Sequence, residues 1–201
     1  MHNEPMQILE DCWKKIKEGI RSRKSNYHTM SLHYSSDKTP RSIMMIPRRI
    51  DLEQHILYCH TDNRSPKVIH LKKNPSVSLL FWCREKRTQI QIQSKCQILH
   101  NTEENKKTWD TMQNMSKVCY ASDIKPGTEC VELCSGFSEE QWENRNDISK
   151  TAYAYNNFAI LKLHILQVER LFLNAGGHNK IVFIKDFTKK NEQWTHRWKA
   201  P

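Results

Sequence analysis

Ser76-Val77-Ser78-Leu79-Leu80-Phe81-Trp82-Cys83, the charged link Arg84-Glu85-Lys86-Arg87, and then Thr88-Gln89-Ile90-Gln91-Ile92-Gln93 running on to His100 form the stretch on which the fold turns. In its second arm Ile90 and Ile92 point one way and Gln89, Gln91 and Gln93 the other, the period of two that puts one face of a strand on a core. The four-residue link has hairpin length. Two adjacent antiparallel strands are therefore expected, with an apolar face turned inward and a glutamine-rich face turned out.

Working back from this hairpin, Asn74-Pro75 closes a short helix over Lys67–Lys73, because the residue before proline is steered out of helical geometry. The polar loop Thr61-Asp62-Asn63-Arg64-Ser65-Pro66 precedes that helix, and the β-rich run Gln54–His60 precedes the loop. Tyr27–Tyr34 alternates as a strand. The turn formers Ser35 to Pro40 lead into a second arm, Arg41–Pro47. At the start, Met6, Leu9, Trp13, Ile16 and Ile20 recur every three or four residues over Pro5–Arg23, the pattern of one amphipathic helix, with Gly19 weakening its last turn.

Working forward, Asn101–Met115 reads as a helix with Thr102 as its N-cap, Glu103 and Glu104 in its first turn, and Trp109 and Met112 on its buried side. Pro126-Gly127 breaks the chain, and Ser138–Trp142 resembles a short capped helix. A strand-like run, Asn156–Phe172, leads to the Gly176-Gly177 turn, and Ile181–Ile184 and Trp194–Trp198 would be closing strands. Six or seven strands among three short helices, without β-α alternation, predict a mainly β barrel with peripheral helices. We expect one domain over 1–201, with an N-terminal helix in 1–25 and the barrel in 26–201.

Apolar residues make up 37% and charged residues 27% of the chain, with only 5 Gly and 7 Pro, which is the composition of an ordered protein. The longest apolar runs, Val77–Trp82 and Phe158–Leu163, are far below the roughly 20 residues of a spanning helix. Met1–Glu10 lacks the charged and apolar regions of a secretory signal. Seven scattered cysteines, odd in number and mostly within apolar runs, read as reduced core thiols, and a cytoplasmic setting is expected. Cys130 and Cys134 are close, but partners at zinc-site spacing are missing, so no metal site is expected. The net charge of +10 could suit nucleic acid, yet Lys14-Lys15, Lys72-Lys73 and Lys189-Lys190 are spread among acids as solvated faces. Nucleic-acid binding is thus the lesser reading.

Glycine-rich phosphate loops, a nucleophile elbow and paired zinc-binding histidines are all missing. What stands out is a polar set: Arg41 and Ser42, then Thr61, Arg64, Ser65 and Lys67, then Gln89. Arginine and lysine give charge-assisted bonds to phosphate, hydroxyls add neutral donors, and glutamine can meet a carbonyl and a ring nitrogen together. Each alone is an ordinary surface residue; the set suits a phosphorylated aromatic ligand.

In order and spacing these segments resemble the pyridoxamine 5′-phosphate oxidase-like family of FMN-binding split β-barrels, from about Ser31 to Pro201. Arg41-Ser42-Ile43-Met44-Met45 is similar to the family's R-x-V-L-L strand, and Thr61 to Lys67 to its T-[ND]-x-x-S-x-K loop. Asn74-Pro75, Trp82 and Thr88–Ile92 are similar to its N-P, W and Q-[VI]-R-[IV] elements, and Arg197-Trp198-Lys199-Ala200-Pro201 to its C-terminus. The resemblance implies FMN as cofactor, held by Arg41, Ser42, Ile43, Met44, His60, Thr61, Ser65, Lys67, Gln89 and Lys180. It also implies a homodimer with each FMN at the subunit interface, and His178 facing a small-molecule substrate.

Departures matter as much. Ile46 stands where the true oxidases carry a substrate-binding Lys, Pro66 stands where they carry an Arg beside the loop Lys, and a Leu near Leu171 stands in place of the flavin-stacking Trp. Gly176-Gly177-His178-Asn179-Lys180 keeps only the His and the last basic residue of a phosphate-gripping motif. An FMN-dependent oxidoreductase of unknown substrate is therefore expected, rather than a vitamin B6 oxidase. The alternative is a flavin-binding sensor or carrier without turnover.

Overall fold

The computed structural model describes residues 4–37, 39–144, 147, 152–188 and 193–201. Its order is α1 (Pro5–Arg21), β1 (Met30–Ser36), β2 (Thr39–Met45), β3 (Pro47–Asp51), β4 (Ile56–Asp62), α2 (Pro66–Lys73), β5 (Ser76–Cys83) and β6 (Thr88–Leu99). After these come α3 (Glu103–Thr111), α4 (Asn114–Val118), α5 (Glu139–Glu143), a 3-10 turn (Ala152–Asn157), β7 (Phe158–Phe172), β8 (Asn179–Asp186) and β9 (Gln193–Lys199).

All pairings are antiparallel, in the order β2-β1-β5-β6-β7-β4-β3. The two ends of that path, β2 and β3, are separated in the chain by Ile46 alone. Two residues span at most about 7 Å, so the sheet has to curl until its ends meet. Fifteen-residue β7 is the hub: β6 lies along one side of it, β4 pairs with Phe158–His164 on the other side, and β8 takes over at Gln167–Phe172. The register shifts at Gln93/Ser94, and this bulge bends the long β6-β7 ladder. The fold is a mainly antiparallel split barrel with peripheral helices.

Ile90 and Ile92 are fully buried, with Leu79, Phe81, Val168 and Phe183 around them. Helix α1 adds Leu9, Cys12, Trp13 and Ile16 to this inner core. Gly19 belongs to that packing, because a Cβ there would sit 2.1 Å from the Tyr27 carbonyl oxygen. A second cluster lies outside the barrel, where Trp109, Tyr120, Ala154 and Phe158 cover Ile56, Tyr58 and Ile160. This second layer hides both faces of β4, so Ile56–Cys59 reads as a continuous buried run.

Several boundaries differ from the sequence reading. Tyr27–Thr29 turns before β1 begins, held by His28 N–H on the Ser25 carbonyl at 3.0 Å. The β1-β2 hairpin is tighter than the run of turn formers suggests. Strand β3 is an addition: its Arg48 and Arg49 look like loop residues, but Arg49 lies 3.7 Å over the Tyr58 ring and bonds Glu104. The predicted helix over 101–115 divides into α3 and α4, and Thr102 caps α3 with a reciprocal Asn105. The expectation that all cysteines are reduced is corrected at Cys130 and Cys134, which form a disulfide in an exposed loop. Their Cα atoms lie 6.5 Å apart, within bridging distance. The basic run at 189–190 lies outside the described residues. No described helix is long and apolar enough to cross a membrane.

Candidate functional site

The loop between β4 and α2 is built around Asp62. Its carboxylate accepts the Arg64 backbone N–H at 2.7 Å and, through Oδ2, the Arg64 guanidinium at 2.8 Å. Arg64 is thus spent on the loop's own geometry and stands apart from the other cations of the set. The turn this creates delivers Ser65, 4% exposed, to the N-cap of α2. Lys67 Nζ then donates to Ser65 Oγ at 2.7 Å. Burial holds the Lys67 ammonium below the ordinary lysine range, only partly offset by Asp62. A half-buried cation, a buried hydroxyl and the positive end of an eight-residue helix converge at one corner, an arrangement that suits an anion. Thr61, also buried, adjoins it, and the Asn63 side-chain oxygen is buried without a hydrogen-bond partner.

The β1-β2 hairpin meets α2 through β1, toward the helix's last turn. Arg41 pairs across the ladder with Tyr34, whose ring lies 6.1 Å from that of His70 on α2. Ser36 and His70 close the contact with a 2.9 Å hydrogen bond. Arg41 and Ser42 are exposed, as is Met44, whose side chain is 66% accessible on an edge strand. Ser42 Oγ bonds His33 Nδ1 at 2.8 Å.

Gln89 and Lys180 occupy a different part of the surface. The registers align Trp82, Gln89, Leu171 and Lys180 in one cross-strand row over β5, β6, β7 and β8. Lys180 is paired with Glu169 at 2.9 Å. Another row runs Met44, Ser31, Leu80, Gln91, so β2 lies three strands from β6, or about 14 Å at the usual strand spacing. Within one chain the phosphate-like corner and the glutamine row are therefore neighbours across a face rather than parts of one pocket. His178 sits in the exposed β7-β8 turn, its Nδ1 accepting the Asn174 N–H at 3.2 Å.

His60 faces the second cluster, edge-on to Phe158 with ring centroids 5.1 Å apart. Burial, then Arg48 and Arg49, hold its pKa down to about 4, so the ring is neutral at pH 7. Arg48 at the β3 bulge was missing from the sequence reading, since only the tertiary fold sets it beside β4. Among the described residues no three His, Cys, Asp or Glu side chains gather as metal ligands.

Fold and corner together give a split barrel with a half-buried lysine and a buried serine at the head of α2. Residues 7–100, which hold Arg41, Thr61, Ser65, Lys67 and Gln89, match the family model "pyridoxamine 5′-phosphate oxidase, FMN-binding domain". Over that segment the chain is similar to this family, and FMN is the cofactor such a domain takes. Lys180 and His178 lie beyond it. No curated protein matches the sequence. The fold is similar to that of a pyridoxamine 5′-phosphate oxidase-related, FMN-binding protein from Nostoc punctiforme, with TM-score 0.72, 14% identity and full coverage of both chains. It is also similar to PhzG from Burkholderia lata, solved with tetrahydrophenazine-1-carboxylic acid, with TM-score 0.70 and 19% identity over 100% of this chain and 94% of that one. At these identities the likeness establishes the fold.

Proposed function

We propose that this protein is an FMN-dependent oxidoreductase acting as a cytoplasmic homodimer on a small-molecule substrate. The carrying observation is the half-buried Lys67 bonded to the buried Ser65 at the N-terminus of α2, inside the segment that matches the FMN-binding domain. Desolvating an ammonium without a full counter-charge is costly unless an anion completes the site. A phosphate monoester supplies that charge, with Thr61 and Ser65 as neutral partners and Arg41 from the neighbouring strand as a second cation. Bound FMN would supply hydride chemistry at its ring, and the chain's part is binding, orientation and exclusion of water.

The separation of the cradle from the Gln89–Lys180 row supports a dimer. A second copy facing the first would bring its row to this chain's cradle, Gln89 offering both amide groups to a ring edge. The outward face also exposes Met44, Trp82 (44%) and Trp198 (51%), apolar area suited to burial between copies. Ile46 and Pro66 carry no charge to hold a second phosphate, so the reading favours a substrate without one.

The test is a light-scattering measurement together with steady-state reduction of the FMN-loaded protein by NADH and NADPH. A dimer that turns over with either donor supports the proposal. A monomer contradicts the shared site, and a dimer that holds flavin but is inert to both donors supports a carrier instead.

A further inference from the structure

Gly127 lies against the first residue of α2, far from it in sequence. Its φ is +85°, and a Cβ there would stand 2.9 Å from Pro66 Cγ and 3.4 Å from Pro66 Cδ, so glycine alone lets the backbone rest on that ring. The turn is Lys125-Pro126-Gly127-Thr128, closed by the Thr128 N–H on the Lys125 carbonyl at 3.2 Å. Proline second and a left-handed glycine third make it a type II turn.

The approach of this turn to the cradle is held from behind. Ser122 Oγ bonds the Ile124 carbonyl at 2.9 Å and also the Gly136 carbonyl. Asn157 joins the two segments directly: its Nδ2 donates to the Tyr120 carbonyl at 2.8 Å, and its own carbonyl accepts the Asn63 N–H at 2.7 Å. Residues 120–127 are therefore tied to the Asp62–Pro66 loop at both ends.

We infer that Lys125, brought by this turn to the N-terminal end of α2, is a further phosphate ligand of the FMN site; the inference rests on the FMN reading above. Pro66 contributes neither a charge nor an N–H at that end. A phosphate monoester carries close to two negative charges at neutral pH, and Lys125 would join Lys67 and Arg41 as a third cation around it. Lys125 is exposed, forms no ion pair among the described residues, and has a flexible four-carbon stem rooted two residues from the Pro66 contact.

Riboflavin, which lacks the phosphate, separates a phosphate ligand from a residue that only supports the fold. FMN and riboflavin are titrated calorimetrically into the full-length wild type, Lys125→Gln and Gly127→Ala. Lys125→Gln should weaken FMN by about tenfold, the loss of one exposed charge-assisted bond, reduce the salt dependence of binding, and leave riboflavin unchanged. Gly127→Ala, which must lift the turn from Pro66, should show the same selective loss. Wild-type affinity for FMN in Lys125→Gln, or an equal loss for both flavins, overturns the inference and leaves the FMN site standing. A wild type that binds neither flavin overturns both.

Discussion

Replacing His60 with Gln should change how the fold responds to acid. The ring is held neutral by burial and by Arg48 and Arg49, with its pKa lowered from 6.5 to about 4. In the unfolded chain it protonates near 6.5, so between the two values the unfolded state binds the extra proton. Stability therefore falls as pH drops from about 6.5 to about 4, and this contribution is flat below that window. A fall from 6.5 to about 4 corresponds to about 3 kcal/mol at ~1.4 kcal/mol per tenfold in proton affinity. Water still reaches part of the ring, which brings the expected effect to about 2 kcal/mol. Carboxylates titrate in the same range, so the informative quantity is the wild type minus His60→Gln difference in urea-unfolding free energy at pH 7 and pH 4. The wild type should lose about 2 kcal/mol more than the variant. Parallel losses would refute the claim that the fold holds a half-buried His60 neutral.

Three further outcomes are expected. Gly19→Ala should destabilise by about 1–3 kcal/mol in thermal melts, because the new methyl meets the Tyr27 backbone oxygen; helix propensity alone predicts a gain of about 1 kcal/mol, so the sign decides. Asn105→Ala should cost about 1–3 kcal/mol in chemical denaturation, as it leaves the Leu99 carbonyl without its 3.0 Å partner in a fully buried place, whereas Thr102→Ala should cost about 1 kcal/mol. Affinity for FMN should decline at a lower alkaline pH than an ordinary lysine would dictate, since burial lowers the Lys67 pKa and phosphate needs the protonated form; Lys67→Arg should flatten that profile in titrations from pH 7 to 10.

Much of the fold could be read locally. The Ile90/Gln91 alternation, the Leu9, Trp13 and Ile16 stripe of α1 and the Ser138 capping box are each written within a few residues, and the structure has them as expected, whereas Met6, read into the same stripe, is exposed. Strand β3 could not be read this way, because Arg48 and Arg49 belong to a strand only when Tyr58 and Glu104 are beside them. Gly19 looked like a weak point in a helix; its reason, the Tyr27 carbonyl, lies in the next segment. At the site, the Ser65-Pro66-Lys67 spacing was legible because one short loop and one helix turn bring these residues together. The separation of Gln89 and Lys180 from that corner depends on strand order and was invisible. The Gly127 contact with Pro66, spanning two layers of the fold, left no periodic signal.

The measurement that bears most directly on the account is an FMN titration, followed by flavin fluorescence, of the wild type and of Lys67→Ala and Arg41→Ala. Saturable binding by the wild type is predicted. Lys67→Ala should weaken it by roughly ten- to a hundredfold, as expected for losing a half-buried charge-assisted bond to phosphate, and Arg41→Ala should weaken it by a smaller factor. Absence of FMN binding by the folded wild type, or affinity unaltered in Lys67→Ala, would contradict the claim that the cradle at the head of α2 holds the flavin phosphate.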